Sequence, residues 1–437
     1  MRGLFDTLIK AFRLPDLRKK LIYTLIILGL YQLGGLIPVP GIDREVFTGL
    51  VRNWGQLGSM MDIISGGGLY AATIFAMGIS PYINASIIVQ LLTVVIPALE
   101  NLSKEGEAGR KKMTKINRYG AIGLALLQAS LFCYSTRSAM ITSIPKWLCA
   151  ILVIVSFTAG TCFVIWLGER INEKGIGNGI SLLIFSGIVT RLPNMAINLY
   201  YKSVEVDGKI PNPVLGAVVG ILVFIAVVIA AIGIIVFVVY VQNAERRIPV
   251  QYSKKTVGRK LYGGQNSYIP LKVNQSGVMP VIFAMSLLAM PSMIVTMFFS
   301  NSTNKVVLWF RDFSGSPYYY VAYFFLIIAF TFFYSLIQFN PIEISNSIQK
   351  NGGFIPGIRP GKPTTEFILK TANRLNWADG LFLASVCLVP TLISLFTGLE
   401  NVWFAGTSVL ILTGVANDLV VQIESQLVTR NYRGFLD

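Results

Sequence analysis

Two stretches of this chain carry spacings that phosphate chemistry uses. Gly175-Ile176-Gly177-Asn178-Gly179-Ile180-Ser181 resembles a glycine-rich phosphate loop. Such a loop works at a strand-to-helix turn, and no βαβ pattern surrounds this one. Glycines opening an apolar run point instead to a bend or a close helix approach. Gly357-Ile358-Arg359-Pro360-Gly361-Lys362-Pro363 mimics the end of a P-loop. Its glycine spacing is one residue short, and Pro363 stands where Ser or Thr must hold Mg²⁺. A rigid Pro/Gly hairpin presenting Arg359 and Lys362 to a partner fits better. The chain has no histidine, which removes Ser-His-Asp and Cys-His nucleophiles and HExxH zinc sites together. Cys133, Cys149, Cys162 and Cys387 lie in or beside apolar runs without a CxxC pair. They read as small buried apolar side chains, not as a zinc site or a disulfide framework. The expectation is a protein that is not an enzyme and carries no cofactor or metal.

Other features concern shape. Gly66-Gly67-Gly68 interrupts an apolar stretch in which only Asp62 is charged, and each glycine costs a helix about 1 kcal/mol against alanine. Residues 57–70 are too short to span a bilayer. They read as an interfacial helix or as a re-entrant element lining a cavity, where irregular backbone is tolerated at membrane depth. Pro81 is expected to kink a span running over 72–95. Ile79 and Ile83, four apart, share a helix face; such a pair ordinarily faces lipid or core. Glu245-Arg246-Arg247-Ile248-Pro249-Val250, followed by Lys254, Lys255, Arg259 and Lys260, interleaves charge with apolar residues and suggests a basic β-hairpin.

These features need elements to hold them, and composition says which kind. Apolar residues make up 54% of the chain and charged ones 13%, about half the usual charged share of a soluble protein. Soluble architectures and disorder are both excluded. Apolar windows lie at 21–42, 63–99, 119–136, 147–168, 175–190, 210–243, 273–304, 313–342, 380–399 and 401–417. Each span needs roughly 20 apolar residues, so the expectation is an all-α polytopic membrane protein with ten transmembrane helices. The first window lacks a cleavage site and is read as a retained span. The spans contain no Lys or Arg on this division, with Arg191 placed at an interface.

Of the 37 basic residues, 28 fall in alternate loops on one side. Basic loops stay cytoplasmic, so both termini are expected inside. Residues 1–20 form a cytoplasmic amphipathic segment, 21–200 an N-terminal half, 211–417 a C-terminal half and 418–437 a cytoplasmic tail. Five spans in each half make the halves inverted, which places a pathway between them. The net charge of +16 is then a cytoplasmic face. Anionic lipid explains part of it. Loops 242–272 and 341–374 reach too far for headgroups alone and imply a cytoplasmic partner, one rich in phosphate.

Taken together, these residues resemble the SecY family, the channel-forming subunits of the bacterial preprotein translocase. The resemblance runs nearly end to end. It includes Pro15-Asp16-Leu17-Arg18-Lys19-Lys20, Ser65-Gly66-Gly67, the PYINASIIVQLLTVV text beginning at Pro81, and the stretches 166–181, 245–250, 270–280, 354–361 and 405–408. It implies two inverted five-helix halves around an hourglass pore. It further implies a constricting ring of Ile79, Ile83, Ile180, Ile184, Ile282 and Ile411, and a plug within 57–70 that includes Asp62, Ile63, Ile64, Ser65, Gly66, Gly67 and Gly68. A lateral gate would involve Gln90, Gln128 and Asn274. Arg246, Arg247, Lys254, Lys255, Arg259, Lys260 and Arg359 would contact the SecA ATPase or the ribosome. SecE and SecG would be membrane partners, an unfolded preprotein with its signal sequence the substrate, and the cytoplasmic membrane the location.

Two rival readings are weighed. A secondary transporter for a small solute shares inverted repeats but needs an intramembrane charge or ion site. A docking scaffold would need neither the glycine-broken segment nor a kinked second span.

Overall fold

The computed structural model describes residues 4–52, 54, 58, 61–62, 65–141, 145–205, 213–252, 255–257, 260–262, 266–298, 304–397 and 406–433. The described helices are α1 (Leu4–Arg13), α2 (Pro15–Gly34), α3 (Arg44–Arg52), α4 (Ser80–Val95), α5 (Pro97–Lys104), α6 (Glu107–Ser135), α7 (Lys146–Lys174), α8 (Gly179–Glu205) and α9 (Pro213–Gln242). They continue with α10 (Met279–Phe298), α11 (Lys305–Asp312), α12 (Pro317–Gln338), α13 (Pro341–Lys350), α14 (Lys362–Thr397) and α15 (Thr407–Arg433). Each expected apolar window holds a helix, but the window at 63–99 holds turns over 65–79 followed by two shorter helices, α4 and α5. By length and apolarity alone, five helices among the described residues could cross a membrane, or six if α4 and α5, bent by 103°, count as one span. The other long helices run on into charged ends, as α6 does with Arg110, Lys111 and Lys112.

Packing divides the chain into two units: Met1–Tyr201 with Met285–Tyr319 and Val415–Asp437, and Lys202–Ala284 with Tyr320–Gly414. In the first unit, α6 lies against α4 and α7. Small side chains permit this. A Cβ on Gly120 would sit 3.6 Å from that of Ala85, and Ala85, Ala121 and Ile165 form one buried cluster. With lipid as the solvent, such close approach is a main source of helix association. A larger core gathers Phe47, Leu69, Phe132, Phe157 and Met293. At one end Ala11, Leu17, Ile176 and Ile423 cluster together, and the Gly177 N–H donates to Gln422 Oε1 at 2.9 Å.

The second unit holds the only regular strands among the described residues. β1 (Glu245–Tyr252) pairs antiparallel with β4 (Asn266–Lys272), Ile248 opposite Ile269. Between them, β2 (Lys255–Val257) pairs with β3 (Lys260–Tyr262). β5 (Gly353–Phe354) adds to the free edge of β1. Alternation sends Ile248 and Val250 inward and Arg247 and Gln251 outward, as the two-residue period of a strand requires. The hairpin expected from the sequence is therefore present.

Several expectations are corrected. The second span does not run from 72, and Pro81 does not kink it. Residues 65–79 are turns, and Pro81 occupies the first turn of α4, where its missing N–H costs nothing. The sharp bend falls instead at Pro97, which opens α5 after the extended Ile96. The first long helix starts at Pro15 and ends at Gly34, so its charged first turns, Asp16 to Lys20, precede the apolar run that begins at Leu21. The helix over the fifth window continues past Arg191 to Glu205, as its short apolar run implied.

Candidate functional site

All six isoleucines singled out from the sequence occupy the beginnings of helices. Ile79 is the N-cap of α4, and Ile83 lies within its first turns. Ile180 and Ile184 open α8, Ile282 opens α10 and Ile411 opens α15. Ile180 is half-buried and the other five are buried. A common device sets three of these starts: glycines 78, 177 and 277, each two residues ahead of its helix, have φ of +53°, +90° and +65°. Such left-handed backbone turns the chain into the helix and suits glycine. At α8 the Asn178 side chain completes the start by accepting from the Ile180 N–H at 3.1 Å. Gly179 then lies so close to the Gly168 carbonyl that a Cβ would be 2.0 Å from its oxygen. This is the close approach read from the glycines of 175–181.

Along α8, Ile180, Ile184, Gly187 and Arg191 fall at i, i+4, i+7 and i+11, on one face. The glycine-broken segment lies against the last two. A Cβ on Gly66 would be 3.0 Å from the Cα of Gly187, and one on Gly67 would be 2.8 Å from Arg191 Nη2. Both glycines also have positive φ, +67° and +99°, so backbone conformation and space each exclude a side chain. Asp62 accepts from the Tyr70 N–H at 2.9 Å and forms an ion pair with Arg191. Ser65 Oγ donates to the Asp62 carbonyl at 3.1 Å and accepts from the Leu69 N–H at 3.2 Å. Tyr31, stacked on Phe75, donates to the Ser65 carbonyl. Asp62, Ser65, Gly66, Gly67 and Gly68 thus form one hydrogen-bonded turn. Ile63 and Ile64 lie outside the described residues.

Of the proposed gate residues, Gln90 on α4 is half-buried and donates to Ser86 Oγ at 3.4 Å. Gln128 is buried on α6. Asn274 is committed locally, its Oδ1 accepting from the Gly277 N–H at 2.7 Å. It shapes the turn leading into α10.

The basic loops share one core. Ile248 and Val250 of β1, Leu271 of β4, Ile348 of α13, Ile355 in the loop after β5 and Ile368 of α14 bury together. Arg247 lies over the Tyr268 ring at 4.8 Å, and its Nε donates to Glu245 at 2.7 Å. That bond holds the guanidinium above its ordinary pKa range. Arg246 is exposed. Arg359 is exposed too, on a turn closed by the Ile358 N–H donating to the Ile355 carbonyl at 3.0 Å. Thr364 Oγ1 donates to the Arg359 carbonyl at 2.9 Å. The Arg359 backbone therefore does structural work while its side chain is free to meet a partner. Lys255 and Lys260 fall on β2 and β3; Lys254 and Arg259 lie outside the described residues.

Two charged groups are engaged more deeply than the sequence indicates. One is Arg191, read as an interface residue, which is half-buried and paired with Asp62. The other is Asp379, which is buried within α14 and accepts from Ser276 Oγ at 2.6 Å. Both were visible as single charges beside long apolar windows, the pattern that marks a paired or functional group.

A family model described as SecY matches residues 73–420. Protein translocase subunit SecY of Streptomyces coelicolor is 45% identical over 446 residues, covering 98% of each chain. The subunit of the same name from Corynebacterium glutamicum is 43% identical over 455 residues, covering 99% of this chain and all of the relative. Among solved structures, one described as a protein conducting channel aligns over 94% of this chain with a TM-score of 0.67 at 20% identity. Sec61 from a canine ribosome–channel complex aligns over the same share with a TM-score of 0.61. The architecture is that of an all-α polytopic membrane protein, and the length and identity of these matches make the chain a member of the SecY family.

Proposed function

We propose that this chain is the pore subunit of a protein translocation channel, passing unfolded secretory chains across the cytoplasmic membrane and releasing apolar segments sideways into lipid. The observation that carries the reading is the single face of α8. It bears two branched apolar side chains, Ile180 and Ile184, and directly beyond them the two contacts that seat the glycine segment. A gasket and a stopper on one helix face suit a conduit that must stay shut to ions and still yield to a polypeptide. Branched apolar side chains exclude water by dewetting and part without breaking hydrogen bonds.

In this reading Ile79, Ile83, Ile180, Ile184, Ile282 and Ile411 line the constriction, and residues 57–70 are the plug. Gln90, Gln128 and Asn274 belong to the lateral gate. Both termini are cytoplasmic, and loops 242–272 and 341–374 offer a basic platform to SecA or the ribosome. Relatives whose names and descriptions include the translocase and a ribosome–channel complex support that assignment. SecE and SecG complete the membrane complex, and anionic lipid meets the rest of the positive face. The solute-transporter reading gains nothing from the family. Among the described residues the buried carboxylates are Asp62, paired with Arg191, and Asp379, one oxygen of which accepts from Ser276.

The direct test places a photo-crosslinking side chain at Ile83 and stalls a secretory chain in transit. Adducts are expected at Ile83 and absent at a lipid-facing control, Leu126. Equal labelling at both positions would overturn the pore assignment.

A further inference from the structure

Asp62 is fully buried, and its partner Arg191 keeps 23% of its side-chain surface exposed. They belong to different elements, the glycine-broken turn and α8. A buried carboxylate requires compensation, and here one oxygen accepts from the Tyr70 N–H while the other meets the guanidinium. Gly67 lies flat against that guanidinium, with no room for a Cβ. The contact is thus built on both sides: the acid is folded into its own turn, and the base is received by a glycine. Nothing else charged joins the described part of the turn to α8.

We propose that the Asp62–Arg191 pair is a latch for the glycine segment, holding it against α8 while the site is dry and releasing it when water or a passing chain enters. The proposal rests on the plug reading of residues 57–70. The physics is that of any buried ion pair. Taking two charges from water is costly, and their mutual attraction repays the cost only while both partners are present and water is excluded. Once the segment moves off α8, Asp62 and Arg191 regain hydration, so the open state has a solvation gain that offsets the lost pair. The closed state has the pair instead. Two states of comparable free energy separated by loss of one contact make a switch. A purely apolar turn at residue 62 would hold its place without that water-dependent release.

The test uses the full chain in its membrane complex, reconstituted in planar bilayers, with resting ion conductance as the readout. Asp62→Asn and Arg191→Gln are each expected to raise resting conductance by about tenfold or more, because the first removes the counter-charge of Arg191 and the second strands the buried carboxylate. The double variant should raise it no further than the stronger single. Additive effects, or single variants that conduct like the parent, would overturn the latch. If Asp62→Asn does not accumulate, Arg191→Gln carries the test alone, since its side chain is partly exposed. Deletion of residues 61–68 separates the two layers of the argument. A deletion that leaks while both single variants stay tight removes the latch and keeps the plug. A deletion that stays tight removes both.

Discussion

Gly66 and Gly187 meet backbone to backbone, with the position of a Cβ on Gly66 only 3.0 Å from the Gly187 Cα. No larger residue fits at either position without moving the turn off α8. Gly66 also has φ of +67°, which costs a non-glycine residue about 1–2 kcal/mol by itself. Gly66→Val should therefore loosen the turn and raise resting conductance in planar bilayers, while transport of an ordinary preprotein continues. Conductance at the parent level would show that this contact does not hold the segment.

The isoleucine face of α8 and the start of α4 make a second expectation. Replacing Ile83 and Ile184 together by Asn keeps side-chain size close and makes the wall wettable. Resting conductance should rise, since hydration replaces dewetting. Replacing the same pair by Leu should leave it unchanged.

Arg359 can be separated from its own turn. Its carbonyl closes the loop through Thr364, and its side chain projects outward. If Arg359 docks SecA as proposed, Arg359→Glu should lower SecA-driven transport into proteoliposomes by about tenfold through charge reversal, with unfolding temperature and SecE association unchanged. Thr364→Val should do the reverse, lowering the unfolding temperature through loss of the turn bond.

The pair formed by Ser276 and Asp379 predicts a stability effect. Ser276→Ala removes the hydroxyl that meets a buried carboxylate, at a cost of about 1–3 kcal/mol. Asp379→Asn keeps an acceptor for that hydroxyl and should cost less. Thermal unfolding in detergent gives the order; a larger drop for Asp379→Asn would contradict it.

For the proposed gate residues, the local bond of Asn274 to the Gly277 N–H changes which variant is informative. Asn274→Leu disturbs the entry to α10, whereas Gln128→Leu tests the seam alone. Buried amides between membrane helices contribute about 0.6 kcal/mol on average, and Leu disfavours water in an opened seam. Gln128→Leu should require a more hydrophobic signal sequence for transport. A series of signals graded in leucine content measures the threshold, which should shift toward the apolar end.

The long helices were legible because a membrane leaves the backbone no alternative. Every N–H in an apolar run must find a carbonyl within its own segment, so the windows at 147–168 and 210–243 could only be helices. Their ends were not legible. Helical backbone continues into water at no penalty, and Glu107 to Arg118 or Lys362 to Arg374 extend their helices past any apolar boundary. The start of α4 was misplaced because Pro81 is compatible with a helix interior and with its first turn; only the left-handed Gly78 distinguishes them. The isoleucine positions came from family resemblance, since paired isoleucines are common on any apolar helix. Arg191 was missed because arginine near a span end ordinarily snorkels to water. Its engagement depends on Asp62, 129 residues earlier, and pairing at that range leaves no local trace.

The four positions on α8 from Ile180 to Arg191 lie within about 60° of one another at 100° per residue. A helix turns as a rod, so these side chains cannot be steered separately. Any rotation of α8 large enough to swing Ile184 aside also carries off the seat under Gly66 and the charge facing Asp62. On this flank, the proposed gasket and stopper are geared to one axle.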